Sequence, residues 1–360
     1  MKKFLLCTMA AGAVLGASAI ELMDRPAVQV HEFNGTISNE TVAASSFKAP
    51  SHRISSLSEL PGEYVAAYAS YFDNNATVYF NPTIEQGASE TEFIIKGFWL
   101  GQNEAIKDLT ATYNAETNKL VIPRQPLYEY TGDVPAEFVN VNDTTSDVTA
   151  TIYSDGIVFD TPWGAKLQNK TNYYAVATST IFYVPNATMT WIAKGAANSC
   201  SLIVNQSDYV VTAGNFGAFG CDVNINLKEG YIFEIPQQLT ESAGTTYGDF
   251  YTAGYVNGEY VNPITGTGDE TTLVSDMSWT AASTTGYWYG EREPFTITLT
   301  DGSEFVWPSA TAISDMSTSE VASVKYINAQ GMTSATAFDG LNIKVTTFTD
   351  GTTKAIKVIK

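Results

Sequence analysis

Past its first 19 residues the chain predicts an all-β protein: two duplicated β-sandwich or partly open barrel modules plus a small C-terminal β-sandwich-like domain. Three observations lead there. Short runs rich in Val, Thr, Tyr and Phe alternate with turn clusters, sustained helical periodicity is almost missing, and a set of words recurs in order along the chain.

Lys2 and Lys3, the apolar stretch Phe4 to Gly16, and Ala17-Ser18-Ala19 have the order of a secretory signal, so 1–19 is expected to be cleaved near Ala19. The stretch is short and broken by small residues, below the roughly 20 that a membrane span needs. No later segment approaches that length, so no transmembrane segment is expected after cleavage. Residues 20–58 are rich in Ser, Thr, Asn and Ala and read as an N-terminal tether. The first module is placed at 59–170. There Thr77–Phe80, Glu92–Lys96, Leu109–Tyr113 and Leu120–Ile122 predict strands, separated by turns such as Asp73-Asn74-Asn75 and Glu116-Thr117-Asn118. The second module is placed at 171–318 and the C-terminal domain at 319–360.

The duplication is read from three signatures. Asn75-Ala76-Thr77 recurs as Asn186-Ala187-Thr188, and Ile122-Pro123-Arg124-Gln125 recurs as Ile235-Pro236-Gln237-Gln238. Each copy then has an alternating strand, Val148–Ile152 before Asp155-Gly156 and Phe295–Leu299 before Asp301-Gly302. A Pro-Trp or Trp-Pro element follows, Pro162-Trp163 and Trp307-Pro308. The wider spacing of the third pair assigns the second copy an extra segment near 240–290. Proline within Ile-Pro-x-Gln removes a ladder donor and marks a strand end or edge.

The whole chain carries a net charge of −19, and removing Lys2 and Lys3 makes it more negative. Such a field repels phosphate backbones, so nucleic acid is not expected as a partner. It would tolerate calcium or a basic partner. Two cysteines remain after the signal, Cys200 and Cys221, and export into an oxidising space predicts a disulfide between them, two buried thiols being the competing reading.

Residues 321–360 hold five lysines against two aspartates. Their pattern is Val324-Lys-Tyr-Ile327, Gly331, Phe338-Asp-Gly340, Ile343-Lys-Val345, Asp350-Gly351 and Ala355-Ile-Lys-Val-Ile-Lys360. This resembles the C-terminal sorting domains of proteins exported by the type IX secretion system of Bacteroidota. The resemblance implies a secreted protein, extracellular or held at the outer-membrane surface, and a small terminal β domain that acts as its sorting signal. The upstream modules look similar in style to uncharacterised secreted proteins of the same bacteria. Asp143-Thr144-Thr145 fits the short O-glycosylation motif of those bacteria; a plain loop is the competing reading.

No catalytic constellation stands out. The two histidines, His31 and His52, both lie in the tether, which argues against a Ser-His-Asp site or a histidine-rich zinc site in the modules. Glu291 and Glu293 flank Arg292, but two carboxylates on one strand are poorly placed to straddle a glycosidic bond; a solvated or arginine-paired edge is the plainer reading. Asp249, Glu259, Asp269 and Glu270 are oxygen donors for calcium without the spacing of a known loop, so no cofactor is expected. Aromatic density is the one functional lead: Tyr251, Tyr255, Tyr260, Trp279, Tyr287, Trp288 and Tyr289. If Tyr287–Tyr289 is extended, its two tyrosines share one face and Trp288 the other. Such rings stack on sugars or anchor protein partners, or else fill a sheet core. The expected ligand-binding residues are Tyr251, Tyr255, Tyr260, Tyr287, Trp288 and Tyr289. The function expected is a non-catalytic binding protein for carbohydrate or a host-surface ligand. A structural or assembly subunit of the cell envelope is the alternative, and a carboxylate-based glycoside hydrolase the weakest reading.

Overall fold

The computed structural model describes residues 20–21, 31–32, 54–100, 104–242, 248–283, 285–308, 321–328, 332–349 and 353–360. The signal-like segment, Cys7, His52 and most of the tether lie outside the described residues. The chain divides into two compact units, Met1–Trp307 and Pro308–Lys360. The fold is all-β, as the strand grammar predicts.

The first module contains β1 (Val65–Ser70), β2 (Ala76–Phe80), β3 (Thr83–Gln86), β4 (Glu92–Lys96), β5 (Leu109–Asn114), β6 (Lys119–Ile122), β7 (Gln125–Tyr128), β8 (Ala136–Asn140), β9 (Val148–Tyr153), β10 (Gly156–Phe159), β11 (Trp163–Leu167) and β12 (Asn172–Tyr183). Antiparallel pairing runs β1–β2, β3–β4–β5–β6–β9–β10–β12 and back to β1. Asn81-Pro82 is the only break in this circuit, where one long strand bends into β2 and β3. β7, β8 and β11 form a flap that joins the circuit through β12.

The second module contains β13 (Ala187–Ala193), β14 (Ala196–Ser207), β15 (Val210–Gly214), β16 (Asp222–Lys228), β17 (Ile232–Ile235), β18 (Leu239–Ser242), β19 (Asp249–Val256), β20 (Glu259–Val261), β21 (Ile264–Gly268), β22 (Thr272–Ser275), β23 (Ser278–Ser283), β24 (Tyr287–Trp288) and β25 (Thr296–Leu299). Eight of them close a barrel in the order β13-β14-β15-β16-β17-β21-β22-β25, while β18, β19, β23 and β24 form the flap. Strand for strand this is the circuit of the first module, with β14 unbroken where β2 and β3 are bent.

The Ile-Pro-x-Gln words occupy equivalent places for a physical reason. Extending the β5–β6 and β16–β17 registers sets Thr110 opposite Pro123 and Asn224 opposite Pro236. Proline has no N–H to complete either pair. The glutamine two residues on replaces it. Gln125 accepts from Thr110 N at 2.8 Å and donates to Thr110 O at 3.0 Å; Gln238 does the same to Asn224 at 2.8 and 2.8 Å.

The other two signatures are not equivalent. Asn75 belongs to the loop before β2, the second strand, with positive φ. Asn186 precedes β13, the first strand of its barrel, and is buried, its amide bonded to Val204 N and O at 2.7 Å each. Val148–Tyr153 is β9, whereas Thr296–Leu299 corresponds to the end of β12. The true counterpart of Val148-Thr-Ala-Thr is Ile264-Thr-Gly-Thr, and Ile157-Val-Phe-Asp-Thr-Pro-Trp163 matches Leu273-Val-Ser-Asp-Met-Ser-Trp279 at the same offset of 116. Both stretches bond alike: Asp160 N donates to Thr149 O at 2.8 Å and Asp276 N to Thr265 O at 2.9 Å. On this register the extra segment vanishes. Residues 240–290 fall on β18 to β24, whose counterparts are β7 to β11 and the start of β12, with β20 and its turn as the addition in strand structure among the described residues.

Each barrel is filled by side chains around one tryptophan. Trp163 and Trp279 are fully buried. A loop residue, Phe98 or Phe216, sets its ring edge against the indole at 4.8 or 5.2 Å. Both loops need left-handed backbone on either side of the phenylalanine: Gly97 and Trp99 at φ 64° and 72°, Asn215 and Gly217 at 67° and 59°. Ile54 and Leu60, expected in or beside the tether, are buried in the first core, so the module begins earlier than 59. Its last strand runs to Tyr183, which moves the module boundary from 170 to the 184–186 junction.

The modules meet through a small apolar cluster of Val65, Tyr79, Tyr183 and Ile203. Tyr79 lies so close to Gly214 that a Cβ there would sit 2.7 Å from its ring, and its N–H donates to Gly220 O at 2.9 Å. Asn81 bridges the junction, donating to Ser201 O at 3.1 Å and accepting from the Asn215 amide.

The expected Cys200–Cys221 disulfide is not made; both side chains are buried thiols. Cys200 lies on β14 and Cys221 just before β16, with β15 between. Two strand spacings separate their backbones by roughly 9–10 Å, beyond the roughly 7 Å that a disulfide spans. Burial pushes the Cys200 thiol up to about 12, against a smaller opposing pull from backbone donors and Arg292.

The second unit is an antiparallel sheet of β26 (Val321–Asn328), β27 (Thr333–Ser334), β28 (Leu341–Phe348) and β29 (Thr353–Ile359), ordered β27-β26-β28-β29. The runs singled out at Val324–Ile327 and Ile343–Val345 fall on two of its long strands, and Ala355–Lys360 falls on the third except for Lys360, which follows the strand end. Asn342 is buried and ties the Phe338–Gly340 turn, accepting from Phe338 N and donating to the carbonyls of Phe338 and Gly340.

Candidate functional site

The aromatic residues singled out from sequence divide by the alternation of the strands that carry them. Tyr289 points inward, with its ring 4.9 Å from Phe250 and 5.2 Å from Phe219, and Tyr287 also packs on the barrel core. Trp288 faces the other way. It joins Tyr255 at 5.2 Å and Tyr260 at 6.4 Å, and those two tyrosines are 5.7 Å apart. All three rings are half-buried.

The flap builds this cluster by register. Asn257-Gly258, both at positive φ (53° and 87°), turns β19 into β20 and sets Tyr260 directly opposite Tyr255. Tyr251, Ala282 and Trp288 form a second cross-strand row. The short Ala282 leaves room for the indole to lean onto Tyr255. The rings are tilted on one another by 39° to 76°, with Tyr260 edge-on to Trp288, so they form a stepped aromatic platform whose half-exposed rings a ligand can stack on. Partial burial, then the neighbouring Tyr255, hold the Tyr260 phenol above its ordinary pKa, so it stays a neutral donor at physiological pH. Tyr251 and the platform rings are thus brought to one face, and Tyr287 and Tyr289 are not.

The first module explains why this face is open. Its counterparts of Tyr255 and Trp288 are Val141 and Tyr173, which with Val139 and Val176 form a buried satellite cluster under Phe72. Phe72 sits in the long β1–β2 loop. The equivalent β13–β14 connection is only Lys194-Gly195, so among the described residues no such loop reaches the second face. Sequence reading missed this because the alignment of the copies was set by the wrong words. The Asn257-Gly258 turn between two tyrosines was the signal available for the platform.

The neighbouring charged residues are placed differently from expectation. Arg292 does not pair with its flanking glutamates; among the described residues no ion pair joins them. Its guanidinium turns inward over Phe219, Trp279 and Trp191, at 4.2, 4.9 and 5.2 Å, and donates to Gly217 O at 2.8 Å. Burial lowers its pKa to about 10, which leaves it protonated at neutral pH. Glu291 and Glu293 are exposed. Asp269 caps the turn before β22, accepting from Thr271 N and Thr272 N at 2.8 Å each, and these bonds hold its carboxyl below the usual range. Glu270 takes a 3.4 Å bond from Tyr231, and Glu259 stands at the β19–β20 tip, so the proposed calcium donors serve separate turns. No group of three or more metal-ligating side chains gathers among the described residues. Asp143 spends its carboxylate on Thr145 and Ser146 in an exposed turn, which draws its pKa down to about 2. His31 lies opposite Tyr173 in a two-residue antiparallel pairing, and Ile20–Glu21 runs parallel to Tyr287–Trp288.

Fold and face together define two tandem β modules, one a closed eight-stranded barrel and one the same circuit interrupted at Asn81-Pro82, with one outward face covered and the other open among the described residues. No family model matches the chain, no curated protein matches it, and no solved structure matches it.

Proposed function

We propose that the chain is a non-catalytic binding protein, exported to the cell surface or the extracellular space, whose second module holds carbohydrate on the Tyr255–Tyr260–Trp288 platform. One observation carries this reading: three rings stay half-exposed at the place where the first module buries an apolar cluster of three valines and Tyr173 beneath Phe72. Half-exposed aromatic faces that keep phenol donors at their rim suit the mixed apolar and hydroxyl surface of a sugar ring. The signal-like first residues and the terminal domain's resemblance to type IX sorting domains supply the address.

A glycan array probed with the mature chain, followed by Trp288→Ala and Tyr255→Ala, tests the proposal. Each variant is expected to weaken binding about tenfold, ~1.4 kcal/mol, with unchanged near-ultraviolet circular dichroism. Native-strength binding by both variants removes the platform, and an array without any bound glycan removes carbohydrate as the ligand.

A further inference from the structure

The open surface of the second module continues beyond the platform. In the first module β12 shows a series of apolar side chains on its outward face. Tyr173 and Val176 lie in the cluster under Phe72, and Ile181 and Tyr183 lie against the second module beside Val65 and Tyr79. Both stretches are covered. Carrying the register across, the same line in the second module reads Trp288, Glu291, Thr296 and Thr298, and the residues facing its end are Thr188, Thr190 and Ser199 in place of Val65, Ala67 and Tyr79. A docking face has become a row of hydroxyls.

Beside that row is an open groove of about 420 Å³, where the polar Thr190, Asn198, Ser199, Glu293 and Thr296 are interleaved with the apolar Trp191, Ile192, Ala197 and Pro294. Hydroxyls and amides both donate and accept, as the vicinal hydroxyls of a sugar do. No lysine or arginine lines the groove, and Arg292 is turned into the core. The carboxylates of Glu291 and Glu293 would repel sulfate, phosphate or uronate groups. Trp288 and Thr296 are at most about 27 Å apart along an extended strand at ~3.4 Å per residue. We infer that platform and groove form one elongated site, and that its ligand is a linear, neutral oligosaccharide several units long. The inference rests on the platform reading and adds to it the ligand's charge and length.

The test compares disaccharides and hexasaccharides of the cello-, malto-, manno- and chito- series, together with a heparin hexasaccharide, by isothermal titration against the full mature chain. Ser199→Tyr with Thr296→Ile restores the first module's residues and fills the groove; Thr190→Glu is a second, exposed variant. Both are expected to lose at least tenfold affinity for a bound hexasaccharide while leaving its disaccharide unchanged, whereas Trp288→Ala weakens both lengths. Groove variants that bind the hexasaccharide like the native chain overturn the extended site and leave the platform standing. Binding untouched by Trp288→Ala defeats the platform itself. Tighter binding of heparin than of every neutral series overturns the preference for uncharged sugars.

Discussion

Trp163 and Trp279 hold the same place in their barrels but solve their polar end differently. Trp163 Nε1 donates to Thr180 Oγ1 at 2.7 Å, while Trp279 Nε1 is buried without a hydrogen-bond partner. The register explains the orphan. Phe295 occupies the position of Thr180, its ring 5.6 Å from Trp279, and Arg292 occupies that of Ala177. The second core has exchanged one hydrogen bond for ring contacts and a guanidinium stacked on three aromatics. Thr180→Val should therefore impose on the first core what the second already tolerates, without its compensation. The expected loss is ~1–3 kcal/mol, read as a lower denaturant midpoint with an unchanged slope; an unchanged midpoint contradicts the role given to this bond. At this scale the alternation of Tyr287, Trp288 and Tyr289 was legible in the sequence, because strand geometry alone decides it. The inward turn of Arg292 was not legible, since it depends on the close approach that Gly217, lacking a Cβ, allows to Trp279 and the guanidinium.

Among the elements, the most legible was Ile-Pro-x-Gln, the word whose chemistry demands one geometry. A proline inside a ladder needs a substitute donor and acceptor, and a glutamine two residues later supplies both. Asn-Ala-Thr and alternating Thr runs carry no such demand. They satisfy β propensity anywhere, so they matched strands that are not equivalent. Aligned on those words, the second copy acquires an extra segment and the equivalence of Trp163 with Trp279 is lost. Gln125→Leu and Gln238→Leu each leave a backbone N–H and C=O without their partners. Each should cost ~1–2 kcal/mol. With no shared partners, the double variant should lose their sum within about 0.5 kcal/mol. Equilibrium unfolding of the three variants checks this; strongly non-additive losses would mean the two barrels do not carry independent copies of one clamp.

Across the first unit, the two barrels share a circuit and differ in what their outward faces meet. The first module's Val65–Tyr79–Tyr183 face is apolar because Ile203 and the glycines of the second module cover it. The second module's counterpart carries threonine and serine, and the first module's counterpart of Gly214 is Lys96, ion-paired with Glu85 at 2.7 Å. Polar outer faces at both ends are what terminal repeats show, which weighs against head-to-tail growth of an envelope structure. The β class, the duplication and the concentration of aromatics in the second module were legible in the sequence. The difference between a lidded and an open face was not, because it rests on the length of one hairpin loop once the copies are correctly aligned. Transplanting the Tyr71–Asn75 loop in place of Lys194-Gly195 therefore tests the role of the open face most directly, with affinity for array-identified glycans as the measurement. The lidded chain should fold with native circular dichroism and lose at least tenfold affinity for every glycan the native chain retains. Undiminished binding by that chain would contradict the assignment of the second module's outward face as the ligand surface.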